Sequence, residues 1–154
     1  MSQLVPLEDF KTVVQNTPLV SIDFIIENSK GEYLLGKRVN APAFGYWFTL
    51  GGRILKDEKM QDAIKRLSKK EFNLEITLEM LRFHGIFEHF YDDSFADKNI
   101  STHYVVLAYA LKLTEELELP TNEHSEYNYF SKEELLENSY VHEHVKDYFK
   151  QGNI

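Results

Sequence analysis

The chain reads as a mixed α+β fold. Strand-like runs outnumber helical ones. They also do not alternate regularly with helices, as a doubly wound parallel sheet would require. The runs PLVSIDFIIEN at 18–28 and THYVVLAYALKL at 102–113 are rich in β-branched and aromatic residues, which suit a pleated, half-buried surface. The longest stretch with a helical repeat, residues 57–72, lies between them.

In chain order, LEDFKTVV at 7–14 predicts a short opening helix, and Pro18 begins the first strand. Asn28-Ser29-Lys30-Gly31 is a turn, with EYLLGKR as the hairpin partner. Pro42 and Gly45 mark a loop before YWFTL, another strand. Asp57 is the expected N-cap of the next helix, with Glu58 in its first turn. FHGIFEHFY, within 79–91, reads as strand, residues 92–101 as a polar loop and 102–113 as the longest strand. Asn128-Tyr129-Phe130 leads into the helix SKEELLEN, with Ser131 as cap and Glu134 in the reciprocal position of a capping box. A last helix is expected over roughly 140–150.

The 154 residues suit one domain, 1–154, without linker, repeat or low-complexity tract. The formal charge is −8, from 25 acidic and 17 basic residues. That balance argues against general nucleic-acid binding, which calls for a basic face. It leaves room for an anionic small ligand held by a local arginine cluster. Without cysteine there is no disulfide, thiolate nucleophile or cysteine-bound metal. No signal-like N-terminus and no membrane-spanning apolar run stand out, so a cytoplasmic protein is expected.

The chemistry is densest at 51–74, GGRILKDEKMQDAIKRLSKKEFNL. On a helix, Met60, Ala63, Ile64 and Leu67 share an apolar stripe, and Glu71 extends it. A carboxylate there either snorkels to water at the helix end or needs a cation or hydrogen-bond donors. Glu58, Asp62 and Arg66, spaced by four, form a possible ion-pair ladder that pins the preceding loop. Gly51-Gly52 by itself is a plain turn.

The spacing of Gly52, Glu58, Arg66, Glu71 and Leu74 resembles the signature box of the Nudix superfamily, G-x5-E-x7-R-E-U-x-E-E-x-G-U with U apolar. Leu67 replaces a glutamate of that box, Ser68 an apolar residue, Lys70 a further glutamate and Asn73 the glycine. The resemblance implies a Nudix fold, a mixed β-sheet sandwiched between α-helices. It also implies Mg2+, with Mn2+ as a substitute, held by the Gly51 carbonyl and Glu71. Oxygen ligands of this kind suit such a cation.

Further segments resemble one branch, the GDP-mannose mannosyl hydrolases. They are 18–38, GYWFTLGGR at 45–53, EHFYDDSF at 88–95 and THYVVLAY at 102–109. That branch also carries leucine after the box arginine and lacks the next glutamates. The resemblance implies hydrolysis of GDP-mannose, or GDP-glucose as well, by water attack at the anomeric carbon with inversion, giving GDP and free hexose. Such a reaction needs a general base beside the sugar carbon and positive charge on the departing diphosphate. His124, in the polar loop PTNEHSEY, is implied as the base, its imidazole titrating near neutral pH; otherwise it is an exposed loop histidine. Arg38 and Arg53 are implied as clamps on the diphosphate and Tyr104 as a further donor; otherwise they are surface arginines and a core or interface tyrosine. Asp23, an aspartate inside an apolar run, and His89 are implied at the sugar end. Phe10 either stacks on guanine or packs the opening helix. Glu123 stands where relatives carry a metal-binding glutamine. The remaining histidines, 84, 103, 142 and 144, show no ligand spacing, and His142 and His144 are expected to face solvent. A homodimer is implied, with no nucleic acid and no membrane as partner. Two alternatives stay open: conventional pyrophosphohydrolysis at phosphorus, and a non-catalytic nucleotide-sugar binding protein.

Overall fold

The structure, a computed structural model, describes residues 5–120, 124 and 126–150. Its strands are β1 (Leu19–Glu27), β2 (Tyr33–Lys37), β3 (Trp47–Phe48), β4 (Leu50–Arg53), β5 (Arg82–Tyr91), β6 (Thr102–Lys112) and β7 (Tyr127–Phe130). The helices are α1 (Leu7–Asn16), α2 (Met60–Phe72), α3 (Lys132–Glu137) and α4 (Glu143–Asp147), with a short 3-10 turn at Leu78–Met80. β1 is the spine. It runs parallel to β6 over its whole length and antiparallel to β4, while β5 pairs antiparallel with β6. β2 carries β3 and β7 and meets β1 at Glu27↔Tyr33. The sheet is therefore mixed, as the resemblance implies, in an α+β fold, as the residue pattern predicts.

Both faces of β1 are covered, so its apolar run is nearly continuous. On one side Ile22, Phe24 and Ile26 pack with Ala63, Ile64, Leu67 and Phe72 of α2. Phe72 meets Phe24 edge to face at 5.2 Å. On the other side Leu35, Phe48 and Phe130 pack with Leu135, Val141 and Val145 around α3 and α4. Ile25, Val106 and Ala108 close over Tyr148. The predicted capping box at Ser131 and Glu134 is formed in full.

Several boundaries differ from the sequence reading. α2 starts at Met60, and its N-cap position is Lys59. Asp57 is not the cap; it sits at φ 65° in the preceding turn. Glu58 lies before the helix, where its carboxylate accepts from the Leu55 amide at 3.0 Å. The expected ladder reduces to Glu58 and Arg66, joined at 2.8 and 2.9 Å, with Asp62 exposed. YWFTL is split into β3 and β4, residues 127–130 are strand, and the last helix covers only 143–147.

The box departures are structurally accommodated. Asn73 ends α2 in the left-handed region at φ 56°, ψ 35°, a conformation glycine adopts most easily and asparagine next. Ser68 is fully buried, and its hydroxyl accepts from the Ile76 amide at 3.0 Å and donates to the Lys65 carbonyl at 3.2 Å.

Candidate functional site

A small cleft opens where β1, β4, β5 and β6 meet the loop after β2. Asp23, Arg38, Gly51, Glu71, His89 and Tyr104, all selected from the sequence, line it together, as do Thr49 and Tyr91. The register explains the grouping. Asp23 lies opposite Gly51 across β1 and β4, and Tyr104 lies opposite His89 across β6 and β5.

The glycine strand sits unusually close to its neighbours. A Cβ at Gly51 would lie 2.1 Å from the Ile22 carbonyl oxygen and 2.9 Å from Asp23 Oδ1. A Cβ at Gly52 would lie 2.6 Å from Leu67 Cδ2. The first contact is with backbone and cannot yield, so residue 51 must be glycine for β4 to approach β1. Arg66 fixes the far end of the strand, donating both to Glu58 and to the Arg53 carbonyl at 2.8 Å.

Glu71 does not snorkel out; it is only 7 % exposed, and its Oε1 accepts from the Gly51 amide at 3.2 Å. A buried carboxylate at a tight backbone strand fits a hard cation in its donor chemistry. Mg2+ keeps several waters and needs only one or two protein carboxylates, so Glu71 and the Gly51 carbonyl are an adequate start. Glu123 lies outside the described residues. Among those residues, no group of three acidic, histidine or cysteine side chains is assembled as a metal cage.

Asp23 is buried and accepts at Oδ2 from Thr49 Oγ1 at 2.9 Å and from the Tyr148 hydroxyl. Burial pushes its pKa up to about 6, against the hydrogen bonds of Tyr148 and Thr49 and the charge of Arg38, which pull it down. His89 is also buried, and its Nε2 lies 3.2 Å from the Tyr148 oxygen. Burial, then the neighbouring imidazoles of His144 and His142, push its pKa down to about 3. His144 stacks on His89 at 4.3 Å between ring centroids, and His142 lies 4.6 Å from His144. His142 and His144 therefore do not simply face solvent: His142 caps α4, its Nδ1 accepting from the His144 amide, and both are half-buried.

His124 is not among the residues that line this cleft, though it feels the charge of Arg38, which does line it. Its ring lies against Gly36, where a Cβ would come within 2.7 Å, and it is only 7 % exposed. It is not an exposed loop histidine. Its Nδ1 is buried and has no hydrogen-bond partner among the described residues. Burial, then the charge of Arg38, lowers its pKa to about 4, which corrects the expectation of near-neutral titration. Arg38 follows β2 and donates from Nε to the Pro42 carbonyl at 2.8 Å. Arg53 points to α1, its guanidinium 4.4 Å from the centroid of the Phe10 ring. Phe10 thus packs on an arginine, a cation–π contact. Arg53 also acts electrostatically on Tyr104, whose hydroxyl is held above its ordinary range chiefly by burial.

Thr49, Tyr91 and Tyr148 escaped the sequence reading. Thr49 gave a weak signal, a hydroxyl in an apolar strand. Tyr148 gave none, because a tyrosine at an apolar position of a terminal helix looks like core, and its partner Asp23 lies 125 positions away.

A family model described as the NUDIX domain matches residues 17–150. The chain is 39 % identical over 127 residues to the low-salt glycan biosynthesis protein Agl8 of Haloferax volcanii, covering 82 % of this chain and 79 % of that one. Two solved structures share the fold. A MutT NUDIX hydrolase from Burkholderia pseudomallei superposes with a TM-score of 0.70 at 22 % identity, covering 90 % of this chain and 100 % of that one. The MutT protein of Methanosarcina mazei gives 0.69 at 21 %, covering 87 % and 92 %.

Proposed function

The chain belongs to the Nudix family, and from that premise we propose that it hydrolyses GDP-mannose, and GDP-glucose as well, to GDP and free hexose by water attack at the anomeric carbon with inversion. The observation that carries this reading is Leu67. Where the general box places a glutamate, a leucine 3 % exposed packs against Gly52, and Lys70 at another glutamate position is exposed. Of the glutamates that close the box, Glu71 alone remains. Attack at phosphorus draws on several such carboxylates and metals, whereas attack at carbon asks for a base and a stabilised leaving group. The glycan-biosynthesis role in the name of the Haloferax volcanii relative agrees with a nucleotide-sugar substrate.

In this scheme water adds to the anomeric carbon, His124 takes its proton, and the carbon–oxygen bond breaks with its electron pair passing to GDP. Burial keeps His124 unprotonated at neutral pH, so the base form is present. Arg38, Arg53 and Tyr104 place two guanidinium charges and a hydroxyl donor on the diphosphate. Asp23 and His89 hold the hexose. Phe10, already seated on Arg53, orients that guanidinium. Glu71 and the Gly51 carbonyl, with Glu123 as a third group, would hold Mg2+ or Mn2+, which supplies further positive charge to the leaving diphosphate. The working unit is a homodimer. The outer face of β5, an edge strand, leaves Phe83, Ile86 and Phe90 exposed, and an apolar edge of that kind favours pairing with a second copy. Light scattering on the purified protein should give twice the 18.1 kDa chain mass. The reading is tested by incubating the protein with GDP-mannose and Mg2+ and resolving the products by 31P NMR. GDP is expected as the one new phosphorus-bearing product, with the mannose freed without phosphate; GMP and mannose 1-phosphate would overturn it.

A further inference from the structure

We propose that Tyr148, at the C-terminal end of α4, is a positioning residue of the cleft: its hydroxyl donates to Asp23 Oδ2 and accepts from His89 Nε2, fixing both side chains that face the hexose. The role of those two side chains rests on the function proposed above.

A tyrosine hydroxyl has one proton and here three polar neighbours, Asp23, His89 and Thr49. A carboxylate oxygen without a proton can only accept, so the proton goes to Asp23. The tyrosine oxygen then accepts; Thr49 gives its one proton to Asp23, so the group that donates is an Nε2–H of His89. The arrangement therefore selects one tautomer of His89. It also orients the carboxylate. Thr49 and Tyr148 both donate to Oδ2, which leaves Oδ1, the oxygen nearest Gly51, as the acceptor on the cleft side.

Tyr148 is itself gripped by β5 along its length. His84 Nε2 lies 2.7 Å from its carbonyl oxygen, Phe87 meets its ring edge to face at 4.7 Å, and His89 meets its hydroxyl. Gly85 lies at a break in the β5–β6 register, between His84 and the two other contacts. Only 2 % of Tyr148 is exposed, so water does not compete for these bonds. The ring and carbonyl contacts need no hydroxyl, which makes Tyr148→Phe a clean deletion of the positioning bonds with packing retained.

The test has two arms on the full chain. In the first, 15N NMR of the free protein reads the His89 ring. The wild type should show the neutral Nε2–H tautomer, and Tyr148→Phe should shift that signal. His89 protonated at Nδ1 in the wild type would overturn the proposal, because the hydroxyl proton would then serve His89 and not Asp23. The second arm compares hexose with nucleotide. Tyr148→Phe should lose about tenfold or more in kcat/KM for GDP-mannose, of the order expected for groups that orient a site, while its Kd for GDP changes less than about twofold. An equal loss on both, or none, would reduce Tyr148 to packing. Tyr33→Phe, a hydroxyl deletion outside the cleft, should leave both unchanged. A 3,5-difluorotyrosine at 148 keeps the shape and alters only the acidity of the hydroxyl; it should move the His89 signal and kcat/KM together even where the phenylalanine variant fails to fold. A protein inactive on GDP-mannose would refute the proposed reaction, yet the His89 tautomer would still decide the role of Tyr148.

Discussion

His124 combines a buried nitrogen that has no hydrogen-bond partner among the described residues with a pKa lowered to about 4. The sign of the shift sets the pH profile. A base must be deprotonated to act, so kcat should rise through about pH 4 and stay flat across neutrality, unlike an ordinary histidine titrating near 6.5. His124→Ala should lose roughly 10²–10⁴ in kcat, keep its affinity for GDP and lack that limb; near-normal turnover would remove His124 from the base role and turn attention to His89. Glu71→Gln should fall at least about tenfold in activity and in Mn2+ affinity by isothermal titration, and full activity in chelator would contradict its place in a metal site. Glu71 and Asp23 were legible because each is a carboxylate where the pattern demands an apolar side chain, and such a choice needs a partner. His142 and His144 depart from the solvent-facing expectation because their ring contacts with Tyr91 and His89 of β5 are tertiary and have no sequence period.

The glycine strand and α2 work as one element. Leu67 packs on Gly52, Glu71 accepts from Gly51, and Arg66 ties Glu58 to the Arg53 carbonyl. The two glycines should differ in tolerance. Gly51→Ala forces a Cβ to 2.1 Å from a backbone oxygen and should cost more than the roughly 1–3 kcal/mol typical of overpacking. Gly52→Ala meets only the far end of a leucine, which can rotate. Urea unfolding should place Gly51→Ala well below Gly52→Ala in midpoint; the reverse order would show that β4 does not hold its tight approach in solution. The helix stripe was legible from its period. Its start was not, because Asp57 resembles a cap, whereas the chain makes one more turn and gives Glu58 to the Leu55 amide and to Arg66. β7 was hidden for a related reason: four residues beside a strong capping box carry little period of their own.

At the scale of the molecule, the α+β class followed from the strand-rich runs, but the parallel pairing of β1 with β6 across some eighty residues, which makes the sheet mixed, is a topological fact no local pattern encodes. Among the described residues no helix is long and apolar enough to cross a membrane. Buried titrating groups tie the stability of the whole fold to pH. His89, His124 and His142 have pKa values lowered to about 3, 4 and 4, so the unfolded chain binds more protons below about pH 6.5 and stability falls as pH drops through that window. Asp23 acts oppositely, since a pKa raised to about 6 gives the folded state the extra proton between about pH 4 and 6. Three groups outweigh one, and the melting temperature should fall steadily from pH 7 to 4.5; a constant or rising value would contradict the burial of the histidine cluster. The proposed attack at carbon is tested most directly by hydrolysis of GDP-mannose in 18O-labelled water, with both products read by mass spectrometry. The account predicts label in the hexose and none in GDP, whereas label in a phosphate-bearing product would contradict it.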